Sequence, residues 1–453
     1  MSSIKSILLK PMFYDKWTNV EVKGWISSNR GNNKIRFIEL NDGSTIDNLQ
    51  LVFKGSKFNF NLLDQLKPGA AIVVNGVLNA TPNAQQPIEM IVENIVSHKN
   101  VDDDYPIQSQ EMKLETLRDI PHLRHRTSIL KAIMIIRSTL AQEVHKYFIN
   151  KEFHYLNSPI ITSNDGEGAG ETFNVSDNSS TEPFFGRNKK ATLGVTGQLH
   201  GESYSLGFQK IYTFGPTFRA ERSNTKRHLA EFWMIEPEVA FYDLKDIISL
   251  ADDMLKVVIR NTIHKHKKEI EFLDKITNSN LLKRLNHFVE TPLKVVDYTE
   301  AISELEKVKD IFENKDIKYG LDLASEAFKK YLTEKIYNGP IAVINFPKDF
   351  KAFYMKQNDD KKSVAAFDLL VPGIGELVGG SQRECDYHKL VTRVNELNID
   401  QNDLQWYLDL RRFGHMMSSG FGLGFERLVM YVTGTENIRD SIPYPRTTGN
   451  IRM

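Results

Sequence analysis

A single cysteine, Cys385, in 453 residues leaves no partner for an intrachain disulfide. It supplies no thiolate set for a zinc site and points to a reducing compartment. Long apolar runs are missing too. Ala132–Ile136 typifies the longest, far short of the ~18 residues that a membrane-spanning helix needs. No arginine precedes Arg30, and Ile7, Leu8 and Leu9 are the whole apolar core of the amino-terminal segment, which argues against a secretory signal or an Arg-rich transit peptide. The expectation is a cytoplasmic protein with no membrane partner. Net charge is absent as well, because 58 Lys and Arg balance 58 Asp and Glu. A protein that merely coats nucleic acid is therefore excluded. Residues 1–100 lean basic, with 11 Lys and Arg against 8 Asp and Glu. On charge alone, ordinary solvated surface explains that lean better than polyanion contact does. There is no internal repeat and no low-complexity tract; 41% apolar and 26% charged residues fit a globular chain. At about 150 residues per domain, two to four domains fit.

What is present begins with strands. Apolar and polar residues alternate in Val20–Ile26, Lys34–Leu40 and Leu49–Phe53, with Asn41–Ser44 as a turn, and Ala71–Leu78 and Ile88–Val96 add two more. Only Phe60–Leu66 reads as helix there. Five strands in about a hundred residues fit a small closed barrel of OB type over 1–101. The acidic run Asp102–Asp104, followed by Tyr105 and Pro106, opens a linker or hinge over 102–125. From Thr127 the period changes. Ile129, Ile133, Ile136, Leu140, Val144 and Phe148 make one helical stripe, capped by Thr127 or Ser128. Beyond it, strands are expected at Lys190–Thr196, Lys210–Phe214, Phe232–Tyr242, Ile341–Phe346, Ser363–Val371 and Glu376–Ser381. Helices are expected at Asp243–Lys268, Leu321–Tyr337 and Asp386–Leu397. Strands that often follow one another predict an α+β domain over 126–453, built on an antiparallel sheet flanked by helices, with a helical insertion at about 270–340.

Three segments carry chemistry. Phe218–Glu231 reads as strand, loop, strand, with Arg219, Arg222, Lys226, Arg227 and His228 gathered at the tip. Guanidinium forks suit a polyphosphate and Phe232 offers a stacking face; a solvated hairpin tip is the alternative. Gly420, Gly422 and Gly424 alternate in a strand and allow close approach of a ligand, with Arg427 just beyond. The spacing is neither a dinucleotide fingerprint nor a Walker A loop. Asp368 and Glu376 lie in an apolar, Gly-rich stretch, where carboxylates are costly unless paired with a cation or set on a metal. Two carboxylates with waters and phosphates commonly hold Mg²⁺; pairing with arginine is the alternative.

Together these segments resemble the signature motifs of class II aminoacyl-tRNA synthetases. Motif 1 is the long helix and the strand entered at Pro159, motif 2 is Phe218–Phe232, and motif 3 is Gly420–Arg427. A barrel in front resembles the aspartyl, asparaginyl and lysyl branch. Asp165–Glu171, Thr196–Glu202 and Phe367–Glu384 resemble the asparaginyl family almost letter for letter, and the likeness covers essentially the whole chain. One departure stands out. That family usually has Pro-His two residues before motif 3, where this chain has Met417-Ser418, with His415 nearby.

The resemblance implies ligation of L-asparagine to tRNA(Asn) through an adenylate, with ATP as substrate, Mg²⁺ as cofactor, RNA and not DNA as partner, and a homodimer built on motif 1. It implies that Arg219 bridges the α-phosphate and the amino-acid carboxylate, and that Glu221 lies near adenine. Arg227 and His228 would reach the outer phosphates and Phe232 would stack on adenine, with Gly424 and Arg427 completing the ATP site. Asp368 and Glu376 would hold the metal, and Glu167, Gln198, Glu236 and Arg383 would take asparagine. Aspartyl relatives carry a lysine where this chain has Gly201, which disfavours an acidic substrate. The alternative is an aspartyl enzyme accepting both tRNAs. In the barrel, Ile38, Leu40, Leu49 and Leu51 are expected to face in. Phe37 and Gln50, which match positions that read the anticodon, face out.

Overall fold

The computed structural model describes residues 3–9, 19–81, 86–107, 112–163, 171–177, 184–186, 190–223, 225–321, 323 and 325–453. The chain divides into two compact units, Met1–Ile135 and Ile136–Met453.

In the first unit, a short helix α1 (Ile4–Leu9) precedes β1 (Asn19–Gly31), β2 (Ile35–Asn41), β3 (Leu49–Lys54), α2 (Phe60–Gln65), β4 (Ala71–Ala80) and β5 (Ile88–Lys99). The five strands close into a barrel in the order β1-β2-β3-β5-β4. Closure leaves no sheet edge to pair with another chain. Alternation decides the core: Ile38, Leu40, Leu49 and Leu51 are fully buried inside it with Val74, Leu78 and Met90. Asn59 caps α2 by accepting from the amides of Asn61 and Leu62, and Asp64 on the helix pairs with Arg36 on β2. On the outer face Phe37 lies opposite Arg30, and Gln50 opposite Glu39. Arg30 donates to Gln50 Oε1 at 3.3 Å, and Gln50 donates to Glu89 at 3.2 Å.

After α3 (Leu114–Leu117), the long helix α4 (Ser128–Asn150) runs across the division between the units. Its carboxy-terminal part buries Ile136, Leu140, Val144 and Phe148 as the spacing requires. Phe148 stacks on Tyr212 at 4.5 Å. At the other end of the stripe Ile129 is half-buried and Leu130 is buried instead. The elements that follow are β6 (His154–Tyr155), β7 (Ile161–Thr162), β8 (Thr192–Leu193), α5 (Gln198–Phe208), β9 (Lys210–Phe218), β10 (Glu231–Ala240), α6 (Leu244–Thr277) and α7 (Leu281–Glu290). The chain continues through β11 (Lys294–Asp297), α8 (Tyr298–Glu306), α9 (Glu326–Tyr331), β12 (Ile341–Ile344), β13 (Ala366–Val371), β14 (Gly375–Gln382), α10 (Tyr387–Glu396), α11 (Gln401–Arg412), β15 (Ser418–Gly424) and α12 (Phe425–Thr433).

Eight strands form one sheet in the order β11-β12-β13-β14-β15-β10-β9-β6. The centre is antiparallel, but β11 runs parallel to β12 and β6 parallel to β9. The expected antiparallel sheet is therefore mixed, because each edge strand arrives from a helix and not from a hairpin. The expected helical insertion at 270–340 likewise contributes a strand, β11. The strand expected at Lys190–Thr196 shrinks to β8, paired with β7 and bridged at Thr192 to Asn174. The helix expected at Leu321–Tyr337 is confined to α9 and one further helical turn, Leu332–Ile336. Asp243 starts α6 with a reciprocal capping box to Asp246, worth about 1 kcal/mol.

Candidate active site

Strand pairing gathers the chemistry on one face of the second unit's sheet. On β10, Phe232, Met234, Glu236 and Glu238 share a face by their period of two. On β15, Gly424 pairs with Met234 and Gly420 with Glu238. The glycines are required by crowding: a Cβ on Gly420 would sit 2.1 Å from a Glu238 carboxylate oxygen, and one on Gly422 would lie 2.7 Å from Met234 Cε. Motif 3 is thus a cleared strip between β10 and β14.

Across that strip stand the two carboxylates. Asp368 on β13 pairs with Gly379 on β14. A β-bulge beside Leu369 and Leu370 then shifts the register, so that Glu376 pairs with Leu370 and comes to Asp368's side of the sheet. Both carboxylates converge over Gly379, where a Cβ would lie 3.3 Å from Glu376 Oε1 and 3.8 Å from Asp368 Oδ1. Lys329 donates to Glu376 Oε2 at 2.8 Å, and Lys351 to Asp368 Oδ1 at 2.8 Å. Against the burial that would raise it, Lys329, Arg427 and Lys351 hold the Glu376 carboxyl down at about 2. Asp368 is raised, by burial and by neighbouring Glu376, with Lys351 opposing. Among the described residues there is no cluster of three or more His, Cys, Asp or Glu that would cage a metal by itself. Two carboxylates converging over a glycine fit an ion such as Mg²⁺ that keeps most positions for water and phosphate oxygens.

The hairpin between β9 and β10 supplies the cations. Arg219 follows β9, and its guanidinium lies 5.5 Å from the centre of the Phe232 ring, so the platform and its cation are already assembled. Arg227 donates to the carbonyl of Ile374 at 2.5 Å, tying the hairpin tip to the turn between β13 and β14. His228 meets Thr225 at 2.5 Å and lies 3.9 Å from Glu221, which is exposed. Gly424 and Arg427 sit together where β15 becomes α12, and Arg427 acts electrostatically on Glu376.

A second, closed cluster adjoins this face. Glu236 accepts from Thr196, from the amide of Gly197 at 2.9 Å and from Thr213 at 3.0 Å. Gln198, at the start of α5, donates to Glu202 at 3.0 Å. Arg383 makes a two-pronged pair with Glu238, at 3.1 and 2.5 Å, and its remaining edge donates to Ser381 at 2.8 Å. Arg411 and Tyr407 on α11 converge on Glu202 at 2.9 and 2.5 Å. Burial pushes Glu238 up to about 8, with Arg383 opposing and Glu202 reinforcing. Glu202 stays below the usual range because Arg411 and Arg383 outweigh its burial. Gly201 has a steric reason to be glycine, since its Cβ would press Ile211 Cδ1 at 3.1 Å and Glu238 Cγ at 3.3 Å. His415 places Nε2 2.8 Å from Ser418 Oγ, and burial lowers its ring to about 4.

Glu167 lies outside the described residues. Phe37 and Gln50 belong to the barrel. The other candidates come together on β10, β13, β14, β15, the hairpin between β9 and β10, and the first turns of α5 and α12. Sequence reasoning passed over Glu238, Glu202, Arg411, Tyr407, Lys329 and Lys351. A signal existed for Glu238, two residues from Glu236 on one strand, but none for α11 or α9, which arrive from remote segments.

A class II fold carrying an arginine-rich hairpin, a glycine strip and a carboxylate pair defines a synthetase-type catalytic unit. Residues 113–448 match the family model for class II tRNA synthetases (D, K and N), and residues 20–97 match the OB-fold nucleic acid binding domain. The asparagine--tRNA ligase of Mycoplasma mobile is 60% identical over the whole of both chains, and that of Mycoplasmopsis pulmonis is 55% identical over 99% of each. The structure of asparaginyl-tRNA synthetase from Pyrococcus horikoshii, complexed with asparaginyl-adenylate, is 32% identical, superposes with a TM-score of 0.88 and is covered over 99% of both chains. The chain belongs to the class II tRNA synthetases of the aspartate, lysine and asparagine group and, within it, to the asparagine--tRNA ligases.

Proposed function

We propose that the chain ligates L-asparagine to tRNA(Asn) in two steps. An oxygen of the asparagine carboxylate attacks the α-phosphorus of ATP and expels pyrophosphate. A ribose hydroxyl at the tRNA end then attacks the adenylate carbonyl and expels AMP. The observation that carries the reading is the single sheet face on which the Arg219–Phe232 platform, the glycine strip and the Asp368–Glu376 pair adjoin. Neither step uses a protein nucleophile, so catalysis rests on positioning and charge neutralisation.

Phe232 stacks on adenine with Glu221 near it, and Arg219 bridges the α-phosphate and the asparagine carboxylate. Arg227, His228 and Arg427 answer the outer phosphates, while Gly424 lets the nucleotide approach the backbone. Asp368 and Glu376 would hold Mg²⁺, whose charge would neutralise the phosphates when it is bound. Gln198 and Glu167 border the amino acid. Glu236 accepts from the side-chain amide, and Arg383 donates to it through the edge that now reaches Ser381. Phe37 and Gln50 read the anticodon by stacking and by a base edge. A two-fold homodimer is supported by aromatic surface left exposed on the second unit: Tyr204 and Phe208 stack at 6.1 Å, Phe208 meets His154, and Tyr155 and Ile160 are exposed nearby in sequence. No helix among the described residues is long and apolar enough to cross a membrane, and the single cysteine supports a cytoplasmic location.

ATP–pyrophosphate exchange with asparagine against aspartate tests the reading. A polar site that mispairs aspartate discriminates by about 10⁴-fold, and Glu236→Gln erodes that ratio by weakening asparagine more. Comparable exchange with both amino acids would establish the non-discriminating aspartyl alternative instead.

A further inference from the structure

Lys329 carries the region around 270–340 to the catalytic face. Lys329 on α9 is nine-tenths buried, and its ammonium lies 2.8 Å from Glu376 Oε2. Its stem crosses Gly375, which has φ +85°, where a Cβ would press Lys329 Cβ at 3.2 Å. The glycine therefore serves both the turn and the passage of the lysine. On the other carboxylate Lys351 makes the matching contact, and its ammonium also sits 3.9 Å from the centre of the Phe346 ring. Two ammoniums thus balance two carboxylates.

We propose that Lys329 is a resident counter-ion that keeps a divalent cation off Glu376 until nucleotide arrives, so that metal enters this site with the triphosphate and not before it. This rests on the reading of Asp368 and Glu376 as metal ligands. A dication arriving alone must displace or face two cations within a few ångströms of its ligands, on a half-buried surface where water screens weakly. Arriving with a triphosphate, it brings oxygens that give Lys329 and Lys351 new partners, and the charges again balance. Lysine suits the role because a single point charge on a flexible stem can change partner. Lys329 is a positioning residue; it acts through Glu376.

The experiment is a Mn²⁺ titration of the full chain, followed by the electron-paramagnetic-resonance signal of free Mn²⁺, with and without ATP. Without nucleotide, the unmodified chain is expected to bind Mn²⁺ weakly, Lys329→Met at least about tenfold more tightly, and Lys329→Arg, which keeps the charge, like the unmodified chain. With ATP, all three are expected to retain Mn²⁺. Unchanged nucleotide-free affinity in Lys329→Met, while Glu376→Gln abolishes the ATP-dependent retention, would overturn the counter-ion role and leave the ligand assignment standing. ATP-dependent retention that survives in Glu376→Gln would overturn the ligand assignment itself.

Discussion

Two carboxylate–cation clusters lie along one face of the same sheet, and they are built differently. Around Glu238 and Glu202 the cations are arginines, Arg383 grips Glu238 with two prongs, and every side chain is at most 2% exposed. Around Asp368 and Glu376 the cations are lysines, each contact is single, and the Glu376 side chain is 30% exposed. A guanidinium fork fixed by two bonds in a dry site sets a shape, whereas an ammonium at a wet margin can yield to another charge. The first cluster reads as pocket wall and the second as a site prepared for exchange.

Breaking the wall should cost most. Arg383→Ala strands the buried Glu238 carboxylate and is expected to lower stability by about 3–5 kcal/mol, measured by urea unfolding. Arg383→Lys should recover only part of it, because the fork is lost. Next comes the exchange site, where Glu376→Gln should lower stability less than Arg383→Ala, because the Glu376 side chain is 30% exposed and part of the lost pairing is taken over by water. It should reduce pyrophosphate exchange by about 100- to 1,000-fold, the usual cost of removing one group aimed at developing charge, with asparagine binding by calorimetry preserved.

Acid sharpens the contrast through His415, beside the arginine cluster. Its ring titrates near 6.5 when unfolded and near 4 when folded. Between those values only the unfolded chain takes up the proton, so stability is full above pH 6.5 and falls as pH drops towards 4. The loss should reach up to about 3 kcal/mol. His415→Gln should flatten that part of the pH–stability curve in denaturant titrations between pH 7 and 5. The smallest effect belongs to Gly201→Ala. Its new methyl presses Ile211 and Glu238 and should cost about 1–2 kcal/mol, visible as a lower melting temperature, with weaker asparagine activation in the exchange assay.

Much of this was readable beforehand because it follows local periods. Alternation placed Ile38, Leu40, Leu49 and Leu51 inside the barrel, and the three- and four-residue spacing placed Ile136 to Phe148 against the sheet. The hairpin and glycine strip were readable because charge and glycine are concentrated in short stretches. What escaped depends on distant segments meeting. Tyr407 and Arg411 close on Glu202 across some 200 residues, and Lys329 reaches Glu376 from a helix whose own sequence shows an ordinary charged turn. The edge strands β6 and β11 are two and four residues long, too short for any period to declare itself.

The bulge at Leu369–Leu370 gives the catalytic face an arithmetic of its own. Glu376 and Gly379 are three residues apart, an odd number, which in a regular strand would point them to opposite sides of the sheet. One surplus residue changes that parity and delivers the second carboxylate to the first. Stability would notice little if the surplus were removed, since most pairings on either side could re-form. The face of Glu376 would not change either, because without the surplus residue Glu376 and Gly379 stand two residues apart and a regular strand keeps them on one side. A one-residue deletion at Leu377 is therefore expected to straighten the strand with both carboxylates still together: native secondary structure by circular dichroism and adenylate formation retained, whereas loss of the adenylate alone would show that the local bend of the bulge, and not parity, sets the position of Glu376.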